Sequence, residues 1–137
     1  HNRDTSAHTN ITDQIKAILG SANWNDSPAS TLVTIKNLLG QGAIVASNLN
    51  ANGGFVKFAN GFTIQWGYTE NVTSGTYVTY PIAFRTVFSV TGSDVNADND
   101  PLVLGFRTDG NTRFRLFGRR ISGMSSLWAR WIALGLS

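Results

Sequence analysis

Phe55-Val-Lys-Phe58, Asn60-Gly61 and Phe62-Thr-Ile-Gln-Trp66 decide the reading of this chain. Two short runs rich in aromatic and β-branched residues flank Asn-Gly, the dipeptide that best supplies the positive φ angles of a tight hairpin. Working outward, further runs of the same kind follow at Tyr77–Tyr80, Thr86–Thr91, Leu102–Arg107, Thr112–Phe117 and Leu127–Leu134, with Gly, Asn, Asp and Ser clusters between them. Seven such runs with no helical period among them predict a mainly β fold, an antiparallel β-sandwich. Pro81 belongs at a strand edge or bend, because it cannot donate to a ladder. Trp66 and Trp131, inside runs, are expected in the core; Trp24, Tyr68, Tyr77 and Trp128 fall at run ends or turns.

Upstream the period changes. Ile11, Ile15, Ile18 and Leu19 repeat at helical spacing before Gly20. Leu32, Ile35, Leu38 and Leu39 do so after a plausible cap at Ser27 and Pro28, and Gly40 is the expected stop. Ile15-Lys-Ala-Ile-Leu-Gly20 and Ile35-Lys-Asn-Leu-Leu-Gly40 echo each other, an internal similarity with too few copies for a solenoid. Both patterns read as shorter than the ~12–15 residues at which an isolated helix becomes even marginal. Their apolar stripes are narrow, so they require partners, and the favoured partners are copies of the same helices about a symmetry axis. The expected architecture is therefore a short α-helical neck, residues 1–50, ahead of a β-sandwich, residues 51–137, with the neck stripes packed on copies of themselves or, as the alternative, on the second half of the chain. Its first residue, His1, with no charged-then-apolar leader after it, suggests a piece of a longer polypeptide.

The 137 residues amount to 14.8 kDa, one domain with an appendage. Apolar residues make up 42% and charged residues 14%, against roughly 25% charged in ordinary soluble domains, which excludes a charge-driven disordered chain. No stretch approaches the ~20 apolar residues of a membrane span, so no membrane insertion is expected. Cysteine is absent, removing disulfides, thiolate metal sites and cysteine nucleophiles. Polarity comes from 13 Asn, 14 Thr and 12 Ser beside 14 Gly, a wet, turn-rich surface with little charge.

Few residues offer catalytic chemistry. His1 and His8 are the only histidines, both in the helical part, and Glu70 is the only glutamate. Paired-carboxylate chemistry would need Asp94, Asp98, Asp100 or Asp109, all in turns where Asp is ordinarily a turn former. No nucleophile elbow, phosphate loop or His-Glu-x-x-His motif is present, so the chain is read as a non-enzyme with no cofactor. Asp94-Val-Asn-Ala-Asp-Asn-Asp100 has oxygens at the first, third and fifth positions of a calcium loop. It carries Asn99 at the glycine position and Gly105 at the bidentate glutamate position, so an acidic connection is preferred and no metal site is assigned.

The C-terminal third is basic. Arg107, Arg113, Arg115, Arg119, Arg120 and Arg130 face a single carboxylate, Asp109, after residue 101. In Thr112-Arg-Phe-Arg-Leu-Phe117, alternation sends Phe114 and Leu116 to one face and Arg113 and Arg115 to the other. Such a surface suits phosphates or acidic sugars. Without a nucleic-acid-binding motif beside the charge, no nucleic-acid partner is assigned. The connections Ser93–Asp100, Thr108–Asn111 and Gly118–Ser126 are the expected binding loops, since loops vary without disturbing a core. If strands alternate direction, the first and last share one end. The candidate binding residues are Arg113, Arg115, Arg119, Arg120, Met124, Trp128, Asp94 and Asp98. Arg119 and Arg120 are expected on a Gly-flanked loop. The alternative use of these arginines is pairing with Asp94 or Asp98 of an adjacent subunit.

Three segments carry a family likeness: Gly54-Phe-Val-Lys-Phe-Ala-Asn-Gly-Phe-Thr-Ile-Gln-Trp-Gly67, Tyr80-Pro-Ile-Ala-Phe84 and Trp131-Ile-Ala-Leu-Gly135. In this order they strongly resemble the C-terminal domain of bacteriophage tail-fibre proteins, over about residues 53–137. The Pro-x-x-Phe and terminal Trp segments are also similar to H-type lectins. His1-Asn-Arg-Asp-Thr-Ser-Ala-His8 looks like a motif of fibre shafts. The resemblance implies a trimeric β tip at the distal end of a virion tail fibre, joined to an upstream shaft. Such a tip attaches a phage or phage-tail-like bacteriocin to a bacterial surface polysaccharide, lipopolysaccharide or outer-membrane protein. A lectin-like sugar-binding module, a polysaccharide-degrading enzyme and a purely structural fibre segment are the alternatives. The arginine-rich 113–120 segment departs from typical relatives, so no individual contact residue is carried over.

Overall fold

The computed structural model describes residues 5–19, 32–95, 100–123 and 126–137. The chain forms two compact units, His1–Leu39 and Gly40–Ser137. The first contains α1 (Thr5–Leu19) and most of α2 (Leu32–Gly42). At 15 residues α1 is longer than its apolar period suggested, and α2 continues through Gly40 to Gly42. Ser27, Pro28, Gly20 and Trp24 lie outside the described residues. Val33 is exposed. Of the stripe residues whose side chains are described, Ile11, Ile18, Ile35, Leu38 and Leu39 are exposed and Ile15 is half-buried.

Eight strands follow: β1 (Ile44–Asn48), β2 (Gly53–Phe58), β3 (Phe62–Thr73), β4 (Thr76–Thr79), β5 (Thr86–Asp94), β6 (Leu102–Asp109), β7 (Arg113–Arg120) and β8 (Ser126–Leu136). They form a five-stranded sheet, β1-β2-β3-β8-β5, and a three-stranded sheet, β4-β7-β6, with every pairing antiparallel. The fold is the expected mainly β one, two antiparallel sheets about a shared core. The strand absent from the sequence reading is β1, which lies inside the segment assigned to the neck. All five of its residues are exposed, so no burial alternation marks it; it is a short edge strand defined by pairing with β2.

The Asn60-Gly61 hairpin forms as expected. Gly61 has φ +89°, its N–H donates to Phe58 O at 2.9 Å, and Asn60 Oδ1 accepts from Phe62 N at 2.9 Å. The register then sends Thr63, Gln65 and Gly67 inward and Ile64, Trp66 and Tyr68 outward. Trp66 is therefore not a core residue. Its indole lies across Gly54 on the outer face and donates to Asn50 O at 2.9 Å. Trp131 is the core tryptophan. It sits opposite Gly67, where a Cβ would come within 2.3 Å of the indole.

Between the sheets lie Val78, Tyr80, Phe84, Leu102, Phe114, Leu116, Leu127, Ala129, Trp131 and Ala133. Tyr80 packs edge-on to Phe84 with centroids 4.9 Å apart, and Phe114 packs edge-on to Trp131 at 5.1 Å. The Tyr80 hydroxyl is buried with no hydrogen-bond partner among the described residues, and burial pushes its pKa up to about 12. A raised folded value gives a contribution fully present below the unfolded value near 10 and lost as pH climbs toward 12. Tyr80→Phe removes a desolvated hydroxyl without breaking a bond. It should leave stability at pH 7 unchanged or raise it by up to about 1 kcal/mol. It should also lessen the alkaline loss, as read by thermal melts at pH 7 and pH 11.

Candidate functional site

The eight residues singled out above do not gather in one place. Arg120 is the clearest correction. It closes β7 rather than standing on a loop, and alternation turns it inward, 5% exposed. Its Nη1 donates to Asp100 O at 2.7 Å and lies 3.9 Å from Asp94 Oδ2, all within one chain. Asp94 Oδ2 also accepts from Leu102 N at 3.2 Å. Asp100 accepts from the Ser122 amide at 3.0 Å and from its hydroxyl at 2.5 Å. The Ser122 hydroxyl and amide, with help from Arg120, hold the Asp100 carboxyl below its usual range. The loops after β5 and β7 thus meet at one end, and Asp94, Asp100 and Arg120 are their fastening. Asp94 and Arg120 are thus largely buried within one chain. Asp98 and Met124 lie outside the described residues.

Trp128 sits on the other sheet. Its neighbours Leu127 and Ala129 are fully buried, so it projects from the outer face of β8. Nearby, Arg130 lies over the Tyr68 ring at 5.1 Å and donates to Ala51 O at 3.2 Å.

The remaining arginines do assemble, on the outer face of the three-stranded sheet. Phe114, Leu116 and Arg120 point inward, leaving Arg113, Arg115, Phe117 and Arg119 in file along β7. Register sets Tyr77 beside Arg115 from β4, and Asp109, Arg107, Gly105 and Val103 opposite Arg113, Arg115, Phe117 and Arg119 from β6. Arg113 Nε bonds Asp109 Oδ2 at 2.7 Å, and its guanidinium stands 4.0 Å from the Tyr77 centroid. Arg115 is half-buried: its Nε donates to Gly75 O at 3.2 Å, and its guanidinium lies 4.9 Å from Tyr77 and 5.1 Å from Phe117. At the far end an open cleft of about 330 Å³ is lined by Val103, Arg119, Arg120 and Ile121. The face is cationic and aromatic, with its side chains on strands instead of loops.

Arg107 was not legible as a member of this face: a two-residue Asp109-Gly110 turn would set it opposite Thr112, whereas the connection is Gly110-Asn111-Thr112 and pairs it with Arg115. Nor was the position of Tyr77, since β4 meets β7 across some forty residues of chain.

The profile of tail fiber protein gp53-like, C-terminal domains matches residues 57–136. The chain belongs to this tail-fibre family. No curated protein matches it by sequence. Among solved structures it is similar to an N-truncated R2-type pyocin tail fiber, with TM-score 0.62 and 20% identity over 98% of this chain and 52% of that one. A P. aeruginosa R2 pyocin fiber comprising C-terminal residues 323–691 gives TM-score 0.62 and 18% identity, covering 98% and 35%. An N-truncated R1-type pyocin tail fiber gives 0.55 and 21%, covering 80% and 99%. This tail-fibre domain spans about half the length of the first of these fibres, and at such identity the likeness establishes the fold.

The family segments interlock in the structure. Gln65 is fully buried and holds both backbone groups of Ile82, donating from Nε2 to the carbonyl at 2.9 Å and accepting the N–H on Oε1 at 2.9 Å. Gly67 leaves room for Trp131, and Gly135 does so for Phe84, whose ring would lie 2.6 Å from an added Cβ. The Gln-Trp-Gly, Pro-x-x-Phe and terminal Trp segments of this tail-fibre domain are thus one packed unit.

Proposed function

We propose that this tail-fibre domain is the distal tip that attaches its particle, as a homotrimer on an upstream shaft, to a receptor on the bacterial surface. The observation that carries this is the cationic and aromatic outer face of the three-stranded sheet. It takes no side chain from the core, yet Asp109, Gly75 and the Tyr77 and Phe117 rings hold the guanidinium groups of Arg113 and Arg115 in place. Binding is favoured over catalysis by the carboxylates: Asp94, Asp100 and Asp109 are engaged by Arg120, Ser122 and Arg113, and Glu70 is exposed. Polysaccharide, lipopolysaccharide and outer-membrane protein remain the receptor classes.

Trimerisation is supported by the outer face of the five-stranded sheet. Val56, Ile64 and Leu134 fall in one row across β2, β3 and β8, with Trp66 and Ile132 in the next. Together with the exposed Ile11, Ile18, Ile35, Leu38 and Leu39 of α1 and α2, these rows are apolar surface that association would remove from water. The deciding experiment is competition. At ~10 times its dissociation constant the purified chain, shown trimeric by light scattering, should cut particle adsorption to host cells about tenfold. Full adsorption in its presence would leave a purely structural segment as the reading.

A further inference from the structure

Resting on that attachment reading, we infer that the outer face of the three-stranded sheet is a site for a phosphomonoester-bearing saccharide, with the phosphate held between Arg107 and Arg115. The two arginines are directly opposed on neighbouring strands. Residues so placed have Cα atoms roughly 4.5–5.5 Å apart, and like charges there are unfavourable. The adjacent row shows how this sheet neutralises a guanidinium when structure alone is served, since Asp109 stands opposite Arg113 and bonds it at 2.7 Å. Among the described residues no carboxylate pairs with Arg107, Arg115 or Arg119. The two arginines thus stand in one row of the face with no carboxylate between them, and a doubly charged anion bridging them would neutralise both.

The geometry is prepared for such a ligand. The Arg115 guanidinium is held by the Gly75 carbonyl and by the rings of Tyr77 and Phe117, so little side-chain freedom is left to lose. Its Nη groups have no acceptor among the described residues. A phosphomonoester carries about −1.5 to −2 charges and three acceptor oxygens, enough for two forks. A carboxylate is satisfied by one bidentate fork and would leave the second arginine uncompensated. The sugar would extend toward Phe117, Val103 and Ile121. The last two residues are exposed and line the cleft beside Arg119, roughly 13 Å along β7 from Arg115.

The test is an amide-resolved NMR titration of the full chain with glucose 6-phosphate, glucose, glucuronate and a short oligothymidylate. Glucose 6-phosphate should shift the amides around Arg107, Arg115 and Phe117 saturably, at least tenfold more tightly than glucuronate, and glucose should not. Equal affinity for glucuronate would overturn the phosphate assignment, and tighter binding of oligothymidylate on the same face would overturn the saccharide assignment. Arg107→Gln should weaken glucose 6-phosphate about tenfold while melting at or above the wild-type temperature, because it relieves the like-charge opposition. A lowered melting temperature would mean that Arg107 serves the fold, and would overturn the proposal. Arg115→Lys, which keeps the charge and loses the fork, should weaken binding similarly. If glucose 6-phosphate leaves the amides unmoved while the chain still competes for adsorption, this site falls and the attachment reading stands. If it binds here while the chain fails to compete, the site stands and the attachment reading falls.

Discussion

Gly67→Ala is expected to cost about 3 kcal/mol, lowering the thermal midpoint by roughly 10 °C or more. The added methyl would meet Trp131 Cζ2 at 2.3 Å. The indole has nowhere to withdraw, since it packs 5.1 Å from Phe114 and 6.1 Å from Tyr80, all three buried between the sheets. Cores at crystal-like density absorb such an intrusion only by forcing rotamers or separating strands. Here the strands are β3 and β8, both interior strands of the larger sheet. Trp131→Phe removes the clashing ring edge and leaves a cavity, so alone it also destabilises. Because the two changes act on one contact, the double variant should lose less than the sum of the singles. A midpoint for Gly67→Ala within about 2 °C of wild type would show that the close approach is not a constraint.

Gln65→Leu is expected to cost about 2–4 kcal/mol in urea unfolding, because it removes the partner of both the N–H and the C=O of half-buried Ile82. These two groups lie in the Pro81 turn, between strands, where no ladder can pair them. Gln65 substitutes for a strand edge, and the turn in turn carries Tyr80 and Phe84 into the core. Gln65→Glu separates hydrogen bonding from volume. Protonated, it still donates to Ile82 O and accepts from Ile82 N–H; ionised, it sets a carboxylate oxygen against the carbonyl in a site closed to water. Its folded pKa must therefore lie above the unfolded value of about 4.3. The variant's stability is fully present below about pH 4 and is lost as pH rises through the raised folded value. Comparing urea midpoints at pH 4 and pH 7 checks this. A Gln65→Glu chain as stable at pH 7 as at pH 4, relative to wild type, would refute the bonding role.

The sequence by itself determined the elements whose causes are local. Asn60-Gly61 makes the first hairpin because Gly61 takes φ +89° and Asn60 caps the turn. Alternation in Arg113–Arg120 sorted Phe114 and Leu116 from Arg113 and Arg115, since side chains reverse at every residue of a strand. The ordered Gln-Trp-Gly, Pro-x-x-Phe and terminal Trp segments identified the family.

Tertiary structure decided what depends on pairing between distant strands. The edge strand β1 is exposed on both faces and exists through β2. Of two equally hydrophobic tryptophans, register alone chose Trp131 for the core and Trp66 for the outside, because Gly67 and Gln65 take the inward positions. Arg119 and Arg120 read as one dibasic unit, yet a continued strand turns the first to solvent and the second onto Asp94 and Asp100. The candidate site moved accordingly, from loops to a sheet face. Only the meeting of β4, β6 and β7 sets Tyr77, Arg115 and Arg107 in one row, and contacts spanning this much chain leave no period in the sequence.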